Sequence, residues 1–155
     1  MSGAGVPEQL EALQAALAAE HAAVYGYGVV GGRIDAGRRT EARAAYDAHR
    51  ARRDALTREV RDLGGTPVAA AAGYALPFPV PDATAAVRLA AQLEQRVAGV
   101  YSDLVRATAG KRRREAAGAL REAAVRAVRW SGESVAFPGL AERATEGTAA
   151  PTPTA

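Results

Sequence analysis

The chain has 155 residues, of which 48% are hydrophobic, enough for about one domain with a core of its own. It contains no cysteine, which excludes disulfides, thiolate metal ligands, iron–sulfur clusters and cysteine nucleophiles together. The 20 Lys+Arg against 17 Asp+Glu give a net charge of +3, too small an excess to point to nucleic acid by itself.

The first expected helix covers roughly 7–31. Pro7 suits a first turn, Glu8 and Glu11 favour the positive end of the helix dipole, and the pattern runs to Gly31-Gly32. Its apolar stripe reads Leu10, Leu13, Leu17, Glu20, Val24, Tyr27, so a carboxylate falls on the buried seam. Burying that charge costs several kcal/mol unless it is paired, protonated or metal-bound. After a polar loop, Thr40 is the expected N-cap of a second helix over roughly 40–63, stopped by Gly64-Gly65. Its seam reads Ala42, Tyr46, His49, Arg53, Leu56, Val60, Leu63, with His49 facing inward.

Pro77, Pro79 and Pro81 in alternation forbid a helix between Thr66 and Pro81. An extended segment of this length can run back along a whole helix, so the second and third helices can lie parallel. Asp82 or Thr84 caps the third helix, whose inner face carries Val87, Ala90, Glu94, Val97, Tyr101 and Leu104 to a stop near Gly110. The fourth follows at once, ends around Ser131-Gly132, and is expected to face inward with Leu120, Ala124, Ala127 and Val128. Val135 to Leu140 is apolar enough to dock on the bundle. Residues 145–155 read as a disordered Thr/Pro/Ala tail, leaving 1–144 as the domain. Two short loops with one long crossover between the second and third helices is the connectivity of a ferritin-like four-helix bundle, so an all-α fold of that type is expected.

Glu20, His49 and Glu94 then converge at similar heights. They are candidate metal ligands, with Tyr46 and Tyr101 as outer ligands. A di-iron bundle, however, takes one Glu from each of two helices and a Glu-x-x-His from each of the other two. Here the second helix reads Tyr46-x-x-His49, and on the fourth Glu122 lies on the polar face with Arg126 and Arg129. The site is therefore degenerate, and an intact di-iron centre is not expected. The alternatives are a hydrogen-bonded network in which His49 takes a proton between two carboxylates, one bound divalent cation, or partial exposure at the bundle mouth. His21 points about 100° away from Glu20 and reads as a surface or interface residue.

Lys111-Arg-Arg-Arg114, with Arg106, Arg121, Arg126 and Arg129, could seat phosphates. Glu115 and Glu122 interrupt it and no aromatics interleave, which favours a solvated helix face. There is no nucleophile elbow, Walker loop or catalytic cysteine. No basic segment with a leucine-rich run opens the chain, and no stretch reaches about 18 apolar residues. A cytoplasmic protein without membrane attachment is expected.

At Leu17-Ala-Ala-Glu20-His21-Ala-Ala-Val-Tyr25-Gly-Tyr-Gly28, Ala45-Tyr-Asp-Ala-His49 to Asp54, Tyr74 to Val80, Ala127 to Trp130 and Phe137 to Leu140, the chain resembles an actinobacterial family of ferritin-like domains of unassigned function. The resemblance implies the ferritin-like bundle, with Glu20, His49 and Glu94 similar in position to metal ligands of relatives. It implies no reaction. The departures at Tyr46 and on the fourth helix argue against ferroxidase activity. The leading expectation is a non-catalytic binding or scaffold module, homodimeric through an alanine-rich face. The rivals are a single-metal protein or enzyme at Glu20, His49 and Glu94, and a nucleic-acid or ribosome-associated factor acting through the basic fourth helix.

Overall fold

The computed structural model describes residues 5–134, which fold into four helices: α1 (Val6–Arg33), α2 (Arg39–Asp62), α3 (Ala83–Ala107) and α4 (Gly110–Ser131). The expected docking segment and the expected tail lie outside the described residues. No strand occurs among the described residues, so the all-α expectation holds.

In α1, Pro7 occupies the first turn, and the Gly5 N–H donates to Glu8 Oε2 at 3.2 Å. The helix does not stop at Gly31-Gly32. It runs on to Arg33, because Ile34 is buried and its N–H still reaches the Val30 carbonyl at 2.8 Å. A single 3₁₀ turn, Ala36–Arg38, leads into α2, so Thr40 lies inside that helix and caps nothing. Asp82 caps α3 as expected, its Oδ1 accepting from the Ala85 N–H at 2.8 Å.

Glu20 meets Tyr101 while Tyr27 meets Glu94, so α3 runs antiparallel to α1. The short joint before α2 reverses the chain as well, which leaves α2 and α3 parallel. Residues 63–82 span the length between them. This crossover climbs α1: Gln14 grips it twice, donating to the Thr66 carbonyl at 2.6 Å and accepting from the Val68 N–H at 2.9 Å. His21 Nε2 lies 3.0 Å from the Val68 carbonyl, and Tyr25 packs on Tyr74. His21 is thus a strap anchor on the outside of α1. Farther along, Leu76, Phe78 and Val80 press on the core.

The interior divides into two apolar clusters. One holds Leu13, Leu17, Leu56, Val60, Leu104 and Ala116; the other holds Tyr27, Val30, Ala42, Leu89 and Trp130. α1 packs on α2 and α3, and α3 packs on α4. At Gly26 the approach is close enough that a Cβ would sit 2.6 Å from Leu93 Cδ1.

The inner face of α4 differs from the expected one. It consists of Ala116, Ala119, Ala123, Ala127 and Trp130. Leu120 and Ala124 sit at its margin and Val128 faces outward, a rotation of about a quarter turn. Small side chains let α4 lie close to α3, whereas a row of Leu and Val would hold the helices apart.

Candidate functional site: a buried carboxylate–histidine network

Glu20, His49 and Glu94 meet between the two apolar clusters, and all three are buried. His49 Nδ1 lies 2.6 Å from Glu20 Oε2, and Nε2 lies 2.9 Å from Glu94 Oε1. An ionised carboxylate can only accept, so both ring nitrogens donate at once only in the imidazolium form. Burial by itself would push the His49 pKa down. The hydrogen bonds to Glu20 and Glu94, and the charges of both carboxylates, outweigh burial and raise it to about 9.

Each carboxylate has a tyrosine as well. Tyr101 donates to Glu20 Oε1 at 2.6 Å, and Tyr27 donates to Glu94 Oε1 at 2.6 Å. Burial, reinforced by the neighbouring carboxylate, holds both phenols well above their ordinary pKa, so they serve as fixed donors. Trp130 Nε1–H donates to the Tyr27 hydroxyl at 2.9 Å, and the Tyr27 ring stacks on the His49 ring at 5.3 Å between centroids. Arg38 closes this end, its guanidinium 4.1 Å above the Trp130 ring while it donates to the Arg129 carbonyl at 3.0 Å.

The two carboxylates are not equally provided for. Glu20 has a donor on each oxygen. Glu94 takes both of its hydrogen bonds on Oε1, and Oε2 is buried without one. Its nearest compensation is Arg126, 3.8 Å away, an ion pair beyond hydrogen-bond range. Arg126 reaches in from α4 and also lies 3.7 Å from Glu122. Glu122 in turn takes a 3.0 Å bond from Arg52 on α2. The Arg52–Glu122 pair bridges α2 and α4, and Arg126 links that bridge to Glu94 on α3. Beside them a cleft of about 330 Å³ opens over Tyr101, Leu56 and Leu104, rimmed by Glu59, Lys111 and Arg112.

Three of the five expected site residues therefore come together, and Tyr101 joins them through Glu20. Tyr46 does not join them: it is half-buried, packs on the Tyr27 cluster and lies under the Arg50 guanidinium. Tyr27, Trp130, Arg126 and Arg52 were missed as members of the site. The chain's single tryptophan one turn beyond Ala127 was the available signal for Trp130. In the basic run, Lys111 pairs with Glu115 at 3.6 Å and Arg112 with Glu59 at 3.5 Å. Arg113 caps the end of α3, donating to the Thr108 carbonyl at 2.7 Å.

Among the described residues no group of three or more His, Cys, Asp or Glu is arranged to hold a metal ion. The chemistry of the donors gives the reason. An imidazolium has no lone pair, its two nitrogens address different carboxylates, and Glu94 Oε2 is the one unused oxygen, with an arginine in front of it. As arranged, these residues do not fit a metal. No described helix is long and apolar enough to cross a membrane.

The fold and this interior define an all-α four-helix protein with a charged, hydrogen-bonded layer between two apolar clusters. Residues 12–142 match the family described as "Domain of unknown function (DUF4439)", and the chain belongs to that family. It is similar to a solved structure titled as a conserved hypothetical protein, rv2844, from Mycobacterium tuberculosis. The two are 38% identical with a TM-score of 0.79, over 81% of this chain and 96% of that one. The comparison with curated proteins gave no match.

Proposed function

We propose that the protein is a ferritin-like, non-catalytic binding or scaffold module in which a proton on His49 holds together the carboxylates that metal-binding relatives would use as ligands. The observation that carries this reading is the pair of contacts at 2.6 and 2.9 Å from the two ring nitrogens to two different carboxylates. Short joints on either side of one long crossover support the ferritin-like connectivity. The substitution of Tyr46 for a bridging carboxylate and the outward position of Glu122 argue against oxygen chemistry. The module is cytoplasmic and homodimeric in this reading, which size-exclusion chromatography with light scattering checks.

Elemental analysis of protein purified without chelators, on the parent and on Glu20→Ala and His49→Ala variants, is the deciding experiment. The expected result is no stoichiometric metal in any of them, with both His49 ring N–H signals visible by 15N NMR at neutral pH. Stoichiometric metal in the parent that is lost in both variants would replace this reading with the single-cation one. A filter-binding titration of the parent against RNA at rising salt tests the phosphate-binding alternative, and flat binding is expected.

A further inference from the structure

Two carboxylates and one imidazolium leave the buried layer with one negative charge in excess, since Tyr27 and Tyr101 keep their protons. That excess falls on Glu94. Glu20 has a donor on each oxygen, whereas Glu94 Oε2 is buried and takes no hydrogen bond. An ionised oxygen held there without compensation would be strongly destabilising. Among the described residues the side-chain cation paired with it is Arg126, with Nη1 at 3.8 Å.

Arg126 lies one turn after Glu122 on α4, and its side chain is 22% exposed, so the stem runs in from the edge of the bundle. Its Nη2 lies 3.7 Å from Glu122 Oε2, which also accepts a 3.0 Å bond from Arg52 on α2. The guanidinium is thus held between an outer carboxylate and an inner one, and its charge acts on Glu94 Oε2 without occupying the lone pairs of that oxygen. With Arg126 counted, the layer is neutral. A divalent cation entering the layer would have to displace the proton of His49, because an imidazole binds metal only through a free lone pair. The layer would then hold one positive charge in excess, with Arg126 facing the incoming ion. Without Arg126 the same exchange leaves it neutral.

We propose that Arg126 is the residue that keeps divalent metal out of this interior, acting as a built-in counter-ion in front of Glu94 Oε2. The inference rests on the reading of His49 as a proton-held bridge between the two carboxylates. Glu20, His49 and Glu94 bring together carboxylate oxygens and an imidazole, donors that divalent metals take readily. What they lack is the charge to welcome one. Arg126, from a fourth helix, decides that charge, and Arg52 and Glu122 are positioning residues that hold its guanidinium from outside.

The test titrates the full, untagged chain with cobalt(II), read by visible absorption. Arg126→Gln removes the charge and keeps most of the side chain, while Arg126→Lys keeps the charge. The expected result is one equivalent of cobalt bound by Arg126→Gln at least ten-fold tighter than by the parent, with Arg126→Lys matching the parent and binding lost when His49→Gln is added. Equal binding in the parent and Arg126→Gln overturns the proposal, as does binding that survives His49→Gln. The two readings fail differently: stoichiometric cobalt in the parent overturns the proton-held network as well, whereas no cobalt in either protein leaves that network standing and removes only the role given to Arg126. If Arg126→Gln does not fold, adding Glu94→Gln must restore a cooperative helical transition by circular dichroism, because the stranded charge is then gone. A double variant that still fails to fold overturns the proposal.

Discussion

The seam between α3 and α4 and the seam between α2 and α4 join the same helix to two neighbours by opposite means. On the α3 side, Ala116, Ala119 and Ala123 let backbones approach and exclude water. On the α2 side the backbones make few close approaches, and Arg52 reaches across to Glu122, which Arg126 flanks one turn along α4. The buried network lies next to the second seam, and its under-provided oxygen, Glu94 Oε2, faces Arg126 there. Charge in this bundle is tolerated where packing is loosest, because only there can arginine stems reach inward while keeping their heads near water.

Breaking the network should have the largest effect. His49→Ala strands two buried carboxylates at once, and loss of about 3–5 kcal/mol is expected in urea unfolding. That is a large share of the stability of a domain of this size. An equal loss from His49→Gln, which keeps one donor, would mean that the positive charge is what matters and not the hydrogen bond count.

Next comes pH. The pKa of His49 is raised from 6.5 to about 9 on folding, so the folded state holds its proton more tightly than the unfolded state. Its contribution is therefore fully present below about pH 6.5 and disappears as pH rises through about 9. At 1.36 kcal/mol per unit this is about 3 kcal/mol, lost across that window. Unfolding midpoints measured from pH 6 to 9.5 should fall in the parent and stay level in a His49→Gln variant.

Overpacking the dry seam should cost less. Ala123 is fully buried, and Ala123→Leu forces α4 away from α3 at a loss of about 1–3 kcal/mol. The same change at exposed Ala117 should leave the unfolding midpoint nearly unmoved. The smallest effect belongs to the ionic seam. Arg52 and Glu122 are part-exposed, and Arg52→Ala should cost below about 1 kcal/mol, a difference that shrinks as salt is raised. If the salt-insensitive part were the larger, Arg52 would be acting through its stem on Tyr101 and not through Glu122.

The convergence of Glu20, His49 and Glu94 was legible because Glu20 and Glu94 interrupt apolar three-four stripes and His49 falls on the seam of the second helix, and a strong helical period fixes which way a residue points. Their hydrogen-bonded partners were less legible. Tyr27 lies on the same stripe as Leu13 and Leu17, and an aromatic there reads equally as packing or as a donor. Tyr46 and Tyr101 were the hydroxyls expected beside the three residues, yet Tyr27 and Tyr101 hold the network. The phase of α4 was misread for a related reason. Leu120 and Val128 outweigh alanines on any scale of apolarity, but the close approach to α3 selects for small volume, and the alanines face inward.

Amino-acid order alone determined the four helices, the long crossover and the three polar residues on their seams, since periodicity, prolines and glycines act over a few residues and need no partner. What the tertiary structure decided was the pairing: which oxygen each ring nitrogen of His49 meets, that Glu94 is left one donor short, and that α4 turns two valines outward. Those outcomes depend on the spacing between helices, set by the summed volumes of side chains far apart in the chain, and no local pattern encodes that sum.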